Sequence, residues 1–306
     1  MALLFDVPDY KKIRVIIDTD AACEADDPFA IAQALMTPKF IVKGICAAQF
    51  GTPDTTKKSY DEILTVLDAM DMDVPVFMGE EGTLADVRDK ELSPAAQFII
   101  EEAMKEDEKP LYVITIGAIT NIAAAILAKP EITKRMTVIW IGGQGLDSIE
   151  EGFREFNCGN DVEAANVVIG SGVEFWLIPR NVFSTLQISL AEIQRRIYPC
   201  GKIGKHLFEN MVAYNHSEIA GWTPGENWSL CDSSAVGIAM DPGCGTYEYI
   251  EAPIFTEETA YRFENGRPMI RIYTSVNSRF IIEDFIAKLE LLYGSEKHEE
   301  YGFFGI

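Results

Sequence analysis

Basic residues are scarce in this 306-residue sequence: 26 lysines and arginines stand against 48 aspartates and glutamates, a formal net charge of −22. A nucleic-acid polymer needs a basic face to dock on, so such partners are excluded. There is also no apolar run near the roughly 18 residues that a membrane span requires, and no membrane association is expected. The start, Met1-Ala-Leu-Leu-Phe-Asp6, reaches a charge too early for a secretory signal, so a cytoplasmic location is expected. None of the six cysteines (Cys23, Cys46, Cys158, Cys200, Cys231, Cys244) falls in a Cys-x-x-Cys pair, which argues against zinc. Scattered single thiols suit a reducing compartment. No long linker or low-complexity stretch interrupts the chain, and a single domain over 1–306 is expected.

What the chain does contain is an alternation of short, uniformly apolar runs with amphipathic stretches. Arg14–Ile17, Phe40–Cys46, Leu111–Ile116, Met136–Ile141 and Val173–Ile178 read as strands. Asp27–Leu35, about Thr56 to Met70, and Ile122–Leu127 read as helices. Strands without polar alternation are buried on both faces, so the spacing predicts an α/β fold: a mainly parallel, doubly wound sheet with helices on both sides. The segment of about 190–230 reads as helical and carries His206, Tyr214, His216, Trp222 and Trp228. It is expected to cap the carboxyl ends of the strands, where ligands bind in such sheets.

Four segments at expected strand ends carry chemistry. Asp18-Thr-Asp20-Ala-Ala-Cys-Glu24-Ala-Asp26-Asp27 places five acids in ten residues directly after an apolar strand. Crowded carboxylates repel one another and resist desolvation. A hard cation relieves that conflict, since calcium and magnesium prefer oxygen ligands. Asp26 and Asp27 could instead cap the following helix, but capping uses one or two acids rather than five. Ile116-Gly117 ends another strand, exposing the Ile116 carbonyl as a neutral ligand. Glu155-Phe-Asn157 pairs an acceptor with an amide, a combination suited to vicinal hydroxyls. Asp232 precedes an apolar helix, where an acid alone reads first as a cap.

Taken together, these segments resemble the inosine–uridine-preferring nucleoside hydrolase family. Asp18-Thr-Asp20 with Asp26-Asp27 is similar to its N-terminal aspartate motif, and Ile116-Gly-Ala-Ile-Thr-Asn121 to its Gly-Pro-Leu-Thr-Asn segment. Ile141-Gly-Gly143, Glu155-Phe-Asn157 and Asp161-Val-Glu-Ala-Ala165 follow in the family's order, over about Arg14 to Met240. The resemblance implies a calcium ion held by Asp20, Asp27, Asp232 and the carbonyl of Ile116. It also implies Asp26 as the general base for a calcium-bound water, and Glu155 and Asn157 as ligands of ribose hydroxyls. The reaction implied is cleavage of the N-glycosidic bond of a ribonucleoside or related ribose derivative, by a homodimer or homotetramer.

Three departures from the family pattern are visible. Asp20 to Asp26 is six residues where four are usual, which brings in Glu24. Cys231 stands where the family often has a histidine that protonates the leaving base, so His216 or Tyr214 becomes a candidate donor. Ala47-Ala48-Gln49-Phe50-Gly51 replaces Ala-Gly-Asn, leaving Gln49 as the candidate contact to a hydroxyl. Two other readings compete: a calcium-stabilised nucleoside or sugar binder without turnover, and a haloacid dehalogenase-like, magnesium-dependent phosphatase with Asp18 as nucleophile.

Overall fold

The computed structural model describes residues 3–51, 53–147 and 150–294. Twelve strands are found among them. The first six are β1 (Ile13–Thr19), β2 (Phe40–Ala47), β3 (Val76–Phe77), β4 (Leu111–Thr115), β5 (Met136–Ile141) and β6 (Glu174–Ile178). The rest are β7 (Gln187–Ser189), β8 (Asn227–Ser229), β9 (Gly245–Glu251), β10 (Ile254–Phe255), β11 (Tyr261–Arg262) and β12 (Met269–Val276). Eight of them form one sheet in the order β3-β2-β1-β4-β5-β6-β12-β9. All pairings are parallel except β9 against β12, which closes one edge in the antiparallel sense.

Residue type explains why these runs are interior strands. Every residue of β1 is buried, and alternate side chains feed two separate cores. Val15 and Ile17 join the layer under the helices Asp27–Leu35, Thr55–Met70 and Ser278–Tyr293. Ile16 joins the opposite layer, with Pro94–Met104, Thr120–Ala128 and Val162–Gly170. Arg14 is tolerated in this strand because its guanidinium donates to the carboxylate and carbonyl of buried Glu102 and to the Lys109 carbonyl. A buried charge survives only when paired in this way.

The strand order reverses between β1 and β4, each flanked by β2 and β5 on its other side. The two connections leave to opposite faces there, and a crevice opens beyond the carboxyl ends. Asp18 lies level with Thr115 across that boundary, so Asp20 and Ile116 both emerge into the crevice.

The expected cap is only partly helical. Its main helix is Gly201–Asn215, rooted in the first core through Ile203, Leu207 and Met211. The segment ends in β8, which pairs with β7 so that Ile188 faces Trp228. Three-residue strands are too short to leave a period in the sequence, and a helical reading up to residue 230 overruns β8. Among the described residues no helix is long and apolar enough to cross a membrane.

Candidate active site

Beyond the ends of β1 and β4, a cavity of about 680 Å³ is floored by acids and roofed by the cap. That volume suits a small-molecule ligand. After β1 the chain turns tightly, with the Cys23 amide donating to the Asp20 carbonyl at 2.7 Å, and enters the helix Asp27–Leu35 at Pro28. Asp20 fits against β4 because residue 117 is glycine: a Cβ there would lie 2.5 Å from Asp20 Oδ1.

Asp26 precedes one helix and Asp232 another, yet neither side chain makes a capping bond. The capping explanation of these acids therefore fails on geometry. Carboxylate oxygens of Asp26, Asp27 and Asp232 instead lie within 4.8 Å of one another. Asp26 Oδ2 accepts a long bond (3.4 Å) from the Asp232 amide, and Asp27 accepts from Thr19. Asp232 Oδ2 is buried with no hydrogen-bond partner among the described residues. An ionised oxygen in that position is costly unless a cation reaches it. Asp20 lies outside this group of three but within reach of the Asp27 carboxyl, whose charge helps raise its own pKa.

Burial dominates the electrostatics. It pushes Asp20, Asp26 and Asp232 well above the carboxylate range, and neighbouring acids add to the shift. Burial also raises Asp27 to about 6, against the bond from Thr19, and Glu24 to about 7. The side chains that converge closely enough to share an ion, Asp26, Asp27 and Asp232, offer oxygen donors alone. Such a set matches a hard divalent cation.

Glu155 and Asn157 form the adjoining wall. Glu155 caps the short helix Phe156–Asn160 and accepts from the amides of Gly143 (2.7 Å), Cys158 (2.8 Å) and Asn157 (3.2 Å). Its pKa is still raised to about 7 by burial, with those amides and Arg180 pulling the other way. Asn157 Nδ2 donates to the carbonyls of Ile116 and Ile141, both at 3.2 Å, tying the ends of β4 and β5 together. Both its amide hydrogens are thus committed, and Asn157 offers the cavity an acceptor rather than the donor expected from sequence.

Three expectations are corrected. Gln49 does not line the cavity: its Oε1 accepts from the Gly51 amide at 2.6 Å, its Nε2 points to Thr120 and Asn160, and Phe50 reaches the wall instead. His216 is exposed at the end of the cap helix and lies off the wall, whereas Tyr214 is on it. Asp18 is fully buried, accepting from Thr115 and Asn121, so no substrate phosphate could meet it as a nucleophile. Sequence reasoning overlooked Phe153, Arg154, Arg180 and Ile219 on the walls, while Trp222 of the expected cap does line the cavity. Arg180 follows β6 after one proline, so the rule that placed Asp20 would have found it.

A strand-end acid cluster facing a Glu-x-Asn wall is what the sequence motifs led to, and comparison with known proteins decides the family. The model for "inosine-uridine preferring nucleoside hydrolase" matches residues 15–283. The chain belongs to this family. Family membership makes it an enzyme that hydrolyses the N-glycosidic bond of ribonucleosides, and Asp26, Asp27 and Asp232 give it a group able to hold a metal ion. It is 29% identical to the pyrimidine-specific ribonucleoside hydrolase RihA of Salmonella schwarzengrund, over 85% of this chain and 89% of that one. Two solved structures share its fold. A purine-preferring ribonucleoside hydrolase from Gardnerella vaginalis superposes with a TM-score of 0.76 at 21% identity, covering 92% of this chain and 99% of the other. The plant nucleoside hydrolase PpNRh1 gives 0.75 at 20%, covering 90% and 98%.

Proposed function

We propose that this nucleoside hydrolase is calcium-dependent, with Asp26 as general base and with Glu155 and Asn157 holding the ribose. The observation that carries the reading is the convergence of Asp26, Asp27 and Asp232 without capping bonds, one Asp232 oxygen being buried and unpartnered. Asp20, Asp27, Asp232 and the Ile116 carbonyl would hold the ion, the carbonyl having one lone pair engaged by Asn157 and one to give. When bound, calcium would neutralise the crowded acids and supply Lewis acidity to its oxygen ligands.

Asp26 sits on the cavity floor, and a cation neutralising its neighbours would leave it ionised to take a proton from an attacking water. Glu155 Oε1 accepts a single amide bond and keeps a lone pair for a ribose hydroxyl. The surrounding carboxylates stabilise positive charge developing on the ribose as the bond to the base breaks. Tyr214 is the side chain placed to donate to the leaving group: burial and the nearby Glu24 charge hold its phenol protonated.

Pyrimidine ribonucleosides are the first substrates to test, supported by the RihA relatives and by Cys231, whose buried thiol is a weak acid for a purine leaving group. A cytoplasmic homodimer or homotetramer is the working form we propose, checked by sizing in solution. The deciding assay is release of nitrophenolate from p-nitrophenyl β-ribofuranoside before and after chelation of calcium. This leaving group departs without a proton, so the assay isolates the ribose and metal machinery. Calcium-dependent release is expected. Release that persists unchanged after chelation would defeat the calcium reading.

A further inference from the structure

We infer that the cavity contains an anion-recognising subsite, centred on Arg180 with Arg154 beside it, which takes a phosphate or carboxylate carried by the ribosyl substrate. The inference rests on the reading above that ribose occupies the acidic floor and the Glu155 wall.

Arg180 is fixed at its root. Its amide donates to the Gly143 carbonyl at 2.9 Å, and it opens the short helix that follows β6. Its guanidinium lies over the Phe153 ring, 3.8 Å from the centroid. Stacking on an aromatic face orients the plane of the fork and leaves its N–H edges for a two-oxygen acceptor. One nitrogen meets Glu150 at 3.0 Å, but both partners are substantially exposed, 39% and 61%. An ion pair of that kind contributes little, so a ligand anion competes for the same fork on favourable terms.

The position of the charge matters as much as its availability. Arg180 acts on Glu155, opposing the effect of burial on its carboxyl, so its field reaches the ribose wall. Arg154 precedes Glu155 in the chain, lines the same cavity and donates from Nε to the Glu257 carbonyl at 2.9 Å. It has no ion pair among the described residues. Arg180 also stands on the wall of a second, adjoining cavity of about 290 Å³, lined as well by Gly145, Asn181, Ser184 and its exposed partner Glu150, which supplies room for an added group. The cavity lining thus combines the floor carboxylates with two arginines, Arg154 and Arg180. A neutral nucleoside presents nothing to those arginines. A phosphate on the ribose 5-carbon or a carboxylate on the base would answer them.

The test uses calcium-loaded, full-length protein. Titration calorimetry with ribose and ribose 5-phosphate is expected to show at least tenfold tighter binding of the phosphate. Arg180→Gln should bring that ratio close to one, and Arg180→Lys, which keeps charge but loses the fork, should restore part of it. Arg154→Gln is a second variant should the first melt early. Parallel titrations of uridine, uridine 5′-monophosphate and orotidine into calcium-loaded Asp26→Asn protein, in which turnover is expected to be lost, separate the sources. Tightening for the monophosphate assigns a phosphate on the sugar, and tightening for orotidine assigns a carboxylate on the base. No preference for either anion over its neutral counterpart overturns the inference, as does a preference that survives both Gln variants. Binding is read without turnover, so the two proposals fail separately. A preference for anions with no nitrophenolate release defeats the hydrolase reading, and release without any such preference defeats the subsite.

Discussion

On the floor of the cavity Asp20, Asp26, Asp27 and Asp232 are each at most 3% exposed, whereas at its rim Ile219 and Trp222 are 68% and 57% exposed. The floor acids sit on the turn after β1 and at the starts of two helices packed in the first core. The rim side chains stand on connections at the end of the cap helix, where Trp222 rests on Trp228 with ring centroids 5.3 Å apart. Groups that must act on one bond are held by the interior. The rim residues, which we propose contact the leaving base, are held by surface segments whose adjustment costs the core little.

The sharpest way to break this contrast is at Asp26. Asp26→Asn is expected to lower kcat by about 10²–10⁴-fold, the range of a lost general base, while calcium affinity holds. Steady-state kinetics with a parallel calcium titration checks it, and near-wild-type turnover would move the base elsewhere. Asp232→Ala should weaken calcium binding on the order of 10–100-fold, by analogy with lost metal-supporting groups. Unchanged affinity would reduce Asp232 to a structural residue.

A third prediction concerns pH. Burial raises Asp18, Glu24 and Glu155 to about 7 and Asp27 to about 6. The folded protein therefore retains protons that the unfolded chain releases near pH 4. Stability without a cation is full below that pH and is lost as pH rises through 6 to 7. Thermal melts of chelated protein should show Tm falling from pH 5 to pH 8, with calcium restoring more at pH 8 than at pH 5. A Tm that is flat with pH would mean the acids are better solvated than their burial implies. The smallest effect belongs to the rim: Trp222→Ala should raise KM less than about tenfold and leave kcat nearly intact, the cost of one lost aromatic contact. A collapse of kcat would place the rim among the groups that act on the bond.

Legibility in the sequence follows the same division. Val15, Ile16 and Ile17 are uniformly apolar because both faces of β1 are covered, so strand and strand end are visible together. The acids after it stand out because that density is costly without a cation. Which of them face the cavity is not visible, since it depends on the turn after Thr19: Asp18 points into a bonded interior and Asp20 into the crevice. Gln49 suited its expected role by chemistry, and only the loop geometry, with Gly51 at φ +86°, shows its carbonyl oxygen turned to the Gly51 amide. β9 escaped notice because most of it is exposed along the sheet edge, where Tyr247 and Tyr249 leave no buried run to detect.

The contact between Asp26 and Asp232 joins residues 206 positions apart. Loop closure on that scale comes late in folding, after the local helices and the first strand pairs. A nascent chain that has delivered Asp20 through Asp27 carries its repelling carboxylates without the partner that completes the set, and they remain hydrated until the segment around residue 232 docks. On the proposed calcium reading, full cation affinity would be acquired only when nearly the whole chain has reached its place.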